Sequence, residues 1–186
     1  MPLLEKTASK PDSDVRVIAL ASTGHKLSDI RWDDPHWESG EYDKWQAYGQ
    51  AKTANALFAL GLNTRLAEHG ARAFSVHPGG IVTPLQRHLP NEEMVALGWT
   101  KPDGTLTEEA AKGFKSVTQG ASTTLWAATS PALKDRGGEY CEDCDVAELG
   151  SQEEPVRHRT VQPYAVDPGS AERLWTMSEE MVAGAG

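Results

Sequence analysis

Between Tyr42 and Glu68 the residues Ala47, Ala51, Ala54, Leu57, Phe58, Leu60, Leu62 and Leu66 recur at helical spacing, and a short apolar run stands on either side. The run before it, Val15–Ala21, is bounded by charge; the run after it is Ala71–His77. A short, nearly continuous apolar run suits a strand buried in a parallel sheet. The pattern therefore predicts an α/β fold with a parallel sheet. The Ala-rich turns allow close approach to the sheet or to a neighbouring helix. Gly61 is an interior cost to the helix, and Gly70 is placed to cap its C-terminus.

Both runs end in residues suited to a binding site. The first closes on Ser22-Thr-Gly-His25, the second on Pro78-Gly79-Gly80. Proline cannot continue a strand ladder, and glycine lets the backbone come close to a ligand. Ligands of open α/β sheets bind beyond the carboxyl ends of the strands. A serine there is also an ordinary turn or cap residue, and Pro-Gly an ordinary strand-to-helix loop.

Tyr48 and Lys52 settle the balance towards chemistry. Four residues apart on a helix, they share one face. A phenol is a poor acid-base group near neutral pH, and a fixed ammonium one turn away favours its charged form. A serine hydroxyl converging on the same point would hold a carbonyl or alcohol oxygen. Ser22, Tyr48 and Lys52 thus form a candidate proton-transfer site for interconverting an alcohol and a ketone.

These segments resemble the short-chain dehydrogenase/reductase family, in its retinol-dehydrogenase-like and WW-domain-oxidoreductase-like branch. The resemblance rests on Arg16-Val-Ile-Ala-Leu-Ala-Ser22-Thr-Gly-His25, Trp45-Gln-Ala-Tyr48-Gly-Gln-Ala-Lys52-Thr-Ala-Asn55, Ala73-Phe-Ser-Val-His77-Pro-Gly-Gly-Ile-Val-Thr83 and Gly137-Gly-Glu-Tyr140. A bare Tyr-x-x-x-Lys arises by chance; the four segments in this order and spacing are specific. The resemblance runs from about Leu3 to the C-terminal helix. It implies the C-terminal part of a Rossmann-like, doubly wound parallel sheet, with three recognisable strands and flanking helices. It also implies NAD(P)-dependent hydride transfer on a small apolar alcohol or carbonyl, with Ser22, Tyr48 and Lys52 catalytic. Tyr48, Lys52, Pro78, Gly79, Gly80, Val82 and Thr83 would bind NAD or NADP.

The sequence contains no Gly-x-x-x-Gly-x-Gly and no Asn-Asn-Ala-Gly, the motifs with which family members open. By this resemblance the chain is expected to correspond to the C-terminal two-thirds of such a protein. Pyrophosphate binding at a glycine-rich helix N-terminus supplies much of a dinucleotide's affinity. Missing strands would leave Val15–Ala21 as a bare edge that favours association. The expected partner is a second copy or a chain supplying the missing half. Two other readings stand beside the enzyme: a catalytically silent, self-associating remnant or binding protein, and a cofactor-independent Ser/Tyr/Lys hydrolase. For the hydrolase, Ser22 lacks a strained Gly-x-Ser-x-Gly elbow.

The rest of the chain is less specific. Met1–Lys6 predicts a helical stub and Thr7–Asp14 a loop. His25–Tyr42 reads as a loop in which His25 hydrogen-bonds locally and Trp32 and Trp37 cover the underside or edge a pocket. Pro84–Gly104 has no firm period; in the family it covers the site. Leu85, Leu89, Met94, Leu97 and Trp99 line a pocket there or pack the lid itself. Thr105-Leu-Thr-Glu108 predicts a capped helix running to about Gln119, and Gly120–Thr129 a helix ending before Pro131. Gly138–Glu142 predicts a last strand, Glu148–Gln162 a polar loop, and Pro168–Val182 a helix with Leu174, Trp175 and Met181 on its apolar side.

At 186 residues the chain fits a single domain, residues 1–186. Its formal net charge of -9 supplies no basic stripe to displace counterions, which argues against nucleic acid and anionic membrane as partners. Cys141 and Cys144 form a lone C-x-x-C, read as two thiols in a reducing compartment rather than a redox pair or half a zinc site. No apolar run is long enough to span a bilayer, and charge follows Met1-Pro-Leu-Leu at once, so the expected location is the cytoplasm.

Overall fold

The computed structural model describes residues 1–151 and 159–184. Strands β1 (Arg16–Leu20), β2 (Arg72–His77) and β3 (Tyr140–Glu142) pair in parallel in that spatial order. Ile18 lies opposite Phe74, and Val76 opposite Cys141. These are the three strands expected. A short fourth strand, β4 (Asp145–Val146), folds back antiparallel on β3. The turn between them holds Asp143 at φ 52° and Cys144 at φ 55°, the handedness of a tight hairpin turn.

Alternation along β2 sorts the two faces of the sheet. Ala73 packs with Leu62, Leu66 and Ala71. Phe74 and Val76 point the other way, to Ala127, Leu133 and Cys141. The first face is covered by α2 (Lys44–Leu66), the second by α5 (Val117–Thr129). Helices on both faces make the sheet doubly wound. β2 lies in the middle and is buried from Ala73 to His77. β1 is an edge strand, with no fully buried residue and Leu20 51% exposed.

Local chemistry explains the helix bounds. The Asp43 side chain accepts a hydrogen bond from the Gln46 amide and starts α2. Beyond its end, Gly70 closes the 3-10 turn Ala67–His69 at φ 85°, the left-handed conformation glycine adopts without cost. Gly61 serves packing: a Cβ there would lie 3.4 Å from Cε3 of Trp175 on α6 (Pro168–Gly184). α1 (Pro2–Ala8) buries Ala8 beside Leu62 and Leu66.

Two expectations are corrected. The predicted helix from Thr105 to Gln119 is broken. α4 covers only Glu108–Gly113, and its cap is Thr107, whose Oγ1 accepts from the Ala110 amide. The chain then extends, the Lys115 amide donating to the Gly80 carbonyl at 2.7 Å. A reciprocal cap between Ser116 and Gln119 starts α5 at Val117. Thr105 instead bonds the Asp103 carboxylate. The second correction is at Glu148–Gln162, read as loop. β5 (Glu148–Leu149) and β6 (Thr160–Val161) pair there in parallel as a separate small sheet. Two-residue strands are too short to show a period. The rest of that span, residues 152–158, lies outside the described residues.

Candidate active site

Ser22 follows β1 and caps the 3-10 turn Thr23–Leu27, its Oγ accepting from the Gly24 amide at 3.0 Å. Its backbone is extended, φ -169° and ψ 157°, with none of the strain of a nucleophile elbow. Tyr48 stands on α2 with its ring laid against Gly24. A Cβ on Gly24 would stand 2.4 Å from Tyr48 Cε1 and 3.4 Å from Ser22 Oγ. The tyrosine ring and the serine hydroxyl therefore flank one glycine. Trp45 packs edge-on to Tyr48 at 6.5 Å.

Lys52 is one turn further along α2. Its Nζ is 5.5 Å from the Tyr48 ring centre and 3.4 Å from the Leu20 carbonyl oxygen. Asn55 Nδ2 donates to that same carbonyl at 2.9 Å. Ser22, Tyr48 and Lys52 thus gather at the carboxyl end of β1. Gly49 lets the helix come this close, since a Cβ there would lie 2.8 Å from the Ser28 amide and 3.0 Å from the Gly24 carbonyl. The sequence signal was a helical glycine directly after Tyr48.

The second predicted cluster leaves β2 beside it. Leu20 is in register with Val76, so the Ser22 and Pro78 turns emerge as neighbours. The Thr23 amide donates to His77 Nδ1 at 3.3 Å across the gap. Gly79 sits at φ 94°, and the Lys115 side chain crosses it, Cδ 2.6 Å from where a Cβ would stand. Lys115 pairs with Asp143 of the β3–β4 turn. Gly80 lies under Phe114, and Val82 is 48% exposed. Thr83 stands apart: its side chain and that of Gln86 cap the 3-10 turn Pro84–His88 reciprocally. The threonine hydroxyl is engaged in this local cap.

The span after Thr83 is tied to α2 beside Tyr48, through Trp45. Glu93 on α3 (Asn91–Ala96) accepts from Trp45 Nε1 at 2.9 Å and pairs with Lys44. Of the expected pocket residues, Leu85 and Leu97 are exposed. Trp99 meets Phe114 edge to face at 5.6 Å. An apolar groove does exist between α2 and α6, lined by Phe58, Leu174, Trp175 and Val182. Ser22, Tyr48 and Lys52 are not among the residues lining it. Trp32 packs with Ile30, Leu57 and Ala171 and also edges a shallow pocket with Arg173 and Met177 of α6. The Arg31 guanidinium stacks on Trp37 at 4.0 Å.

His25 bonds beyond its own loop. It is fully buried. Nδ1 lies 2.7 Å from the Ser22 carbonyl oxygen and 3.3 Å from Tyr140 Oη. Nε2 accepts from the Gln162 amide at 3.1 Å. Burial pushes the His25 pKa down to about 4 against the opposing Ser22 hydrogen bond. His77 is likewise held down at about 4 by burial, with the Lys115 charge acting the same way. Cys141 and Cys144 are both free thiols. Burial raises the Cys141 thiol to about 12. Among the described residues no group of three or more His, Cys, Asp or Glu side chains is placed to hold a metal ion. No helix among them is long and apolar enough to cross a membrane.

The chain as a whole is similar to known proteins. Over 184 residues the chain is 38% identical to the short-chain dehydrogenase/reductase prx1 of Penicillium rubens, spanning 97% of this chain and 51% of that protein. The chain belongs to the short-chain dehydrogenase/reductase family. Retinol dehydrogenase 14 of Homo sapiens is 32% identical over 173 residues, which is 93% of this chain and 46% of that protein. A crystal structure of an uncharacterised protein from Mycobacterium paratuberculosis matches at a TM-score of 0.55 and 28% identity, covering 90% of this chain and 50% of the other. The chain thus spans about half the length of the relatives it matches. No protein-family model matches it.

Proposed function

We propose that this chain works as part of a NAD(P)-dependent oxidoreductase that interconverts an alcohol and a carbonyl group on a small apolar molecule. The observation that carries the reading is the meeting of Ser22 Oγ and the Tyr48 ring on Gly24, with the Lys52 ammonium 5.5 Å from that ring. In reduction Tyr48 Oη gives the proton to the substrate oxygen; in oxidation it takes that proton back. Ser22 Oγ donates a hydrogen bond to the same oxygen and fixes its position. Lys52 offsets the negative charge left on Tyr48.

A bound nicotinamide supplies or accepts the hydride. The residues here suit its nicotinamide and ribose half. Lys52 and Tyr48 offer an ammonium and a hydroxyl for ribose oxygens. Pro78, Gly79 and Gly80 offer a turn with two glycines, over which Lys115 and Phe114 lie, with Val82 and Thr83 at its far side. The pyrophosphate half calls for a glycine-rich turn at a helix N-terminus, and the sequence contains no Gly-x-x-x-Gly-x-Gly. We assign that half to a complementing chain, for which the open edge of β1 is the natural seat; a second copy is the other partner that edge can take. On this reading residues 1–186 are one folding unit, and the free Cys141 and Cys144 suit the cytoplasm. The hydrolase reading has less support, because Ser22 is unstrained.

The test is titration of the purified chain with NADH and NADPH by nicotinamide fluorescence, paired with carbonyl reduction by the unchanged protein and by Tyr48→Phe. Binding in the micromolar range with Tyr48-dependent turnover supports the proposal. No binding at millimolar cofactor, with oligomers present, replaces it with the self-associating remnant.

A further inference from the structure

We propose that His25 is the positioning residue of this site: its ring holds the Ser22 carbonyl while its main chain is pinned to the Tyr48 helix, so that one residue sets serine and tyrosine relative to each other. The proposal rests on Ser22 and Tyr48 being the proton-transfer pair. The tautomer follows from the partners. The Gln162 backbone N–H points at Nε2 at 3.1 Å, so Nε2 is bare and accepts. The proton of the neutral ring is therefore on Nδ1, which donates to the Ser22 carbonyl at 2.7 Å, with Tyr140 Oη 3.3 Å from the same nitrogen.

The other end of the device is the His25 carbonyl. It accepts from Tyr164 Oη at 2.8 Å and lies 3.2 Å from Thr53 Oγ1, whose single proton it shares with the closer Ser28 carbonyl at 2.7 Å. Thr53 follows Lys52 on α2 and is fully buried. Ser22 thus reaches the helix of Tyr48 and Lys52 through His25, whose amide also donates to the Ser22 carbonyl at 3.0 Å, while Lys52 and Asn55 tie the helix to β1 two residues earlier, at Leu20. The surrounding frame comes from distant parts of the chain: Tyr140 on β3, Gln162 after β6 and Tyr164 in the turn Pro163–Val166. The Tyr140 ring rests on the imidazole with centres 4.9 Å apart. A buried imidazole with both nitrogens committed has one orientation, and proton transfer to a held oxygen is sensitive to displacements of about 1 Å.

Two substitutions separate the ends of the ring. His25→Asn keeps an N–H near the Nδ1 position, and His25→Gln keeps an acceptor near the Nε2 position. Reduction by His25→Gln is expected to fall roughly 10²-fold in kcat with little change in KM, and His25→Asn to recover most of that loss. Equal losses in the two variants, or no loss in either, overturn the proposal. A second readout is independent of turnover. The Gly24 amide, bonded to Ser22 Oγ, should lose hydrogen-exchange protection in His25→Gln and keep it in His25→Asn, while the Phe74 amide is unchanged in both. If either variant fails to fold, nitrogen NMR of the unchanged protein decides: a proton on Nε2 overturns the assignment. Absence of any turnover in the unchanged protein removes the oxidoreductase reading alone, and the exchange and tautomer measurements still decide the role of His25.

Discussion

Gly24 is the residue on which the site turns, because it leaves room for two side chains at once. Gly24→Ala would set a methyl 2.4 Å from Tyr48 Cε1, and the ring must move. Tyr48 is 36% exposed, so the ring can swing outward at little cost to the core. Expected is a loss of carbonyl reduction of at least tenfold with a stability change under about 1 kcal/mol, read by steady-state assay and urea unfolding. Tyr48→Phe makes the opposite test. The ring stays on Gly24 and only the hydroxyl goes. Turnover should drop roughly 10²- to 10⁴-fold while the urea midpoint stays in place. A variant that retains full activity removes Tyr48 from the chemistry. The residue types of the site were legible in the sequence because hydroxyl, phenol and ammonium chemistry is local to each side chain. The roles of Gly24, Gly49 and Thr83 were not, because a close approach involves two segments and the sequence displays one at a time.

At the scale of elements, the seat of α5 on the Gly80 turn depends on another missing side chain. A Cβ on Gly120 would stand 2.1 Å from Ile81 Cδ1, and Ile81 bridges to Lys115 just before the helix. Gly120→Ala should cost about 1–3 kcal/mol by overpacking, and Ile81→Val, which deletes Cδ1, should return part of it. Additive losses in the double-mutant cycle would show that the two residues do not share the contact. Ser116→Ala removes the cap that starts α5 and should cost about 1 kcal/mol by the same measurement. The long helix and the three parallel strands were readable from period and length. The break at 114–116 was not, since it is held by the Lys115–Gly80 bond, a contact that bridges from one turn to another.

At the scale of the whole molecule, the buried imidazoles set the response to acid. His25 and His77 have pKa values near 4 in the folded state against an ordinary 6.5. The unfolded chain therefore binds protons first as pH falls. The contribution of these groups to stability is complete above about pH 6.5, is lost progressively between about 6.5 and 4, and changes no further below that. Each accounts for up to about 3 kcal/mol over the window. Urea midpoints at pH 7.5 and pH 5 test this, and His77→Gln should flatten the slope; equal midpoints at the two pH values would falsify it. The open edge of β1 predicts concentration-dependent association in sedimentation, reduced by Leu20→Lys, which sets a charge on an exposed edge position. A monomer at all concentrations would mean that the edge is covered in another way.

The sequence by itself determined the α/β class, the order of the main elements and the residue types at the carboxyl ends of β1 and β2. Period, length and turn chemistry are properties of contiguous residues, and a pattern of 2 or 3.6 can be read wherever it lasts several residues. Only the tertiary structure decided what holds those ends. His25 finds Tyr140 across 115 positions and Gln162 across 137. Lys115 reaches Gly79 and Asp143 from a stretch with no period of its own. Such bonds depend on distance in space, and one-dimensional pattern carries no measure of it.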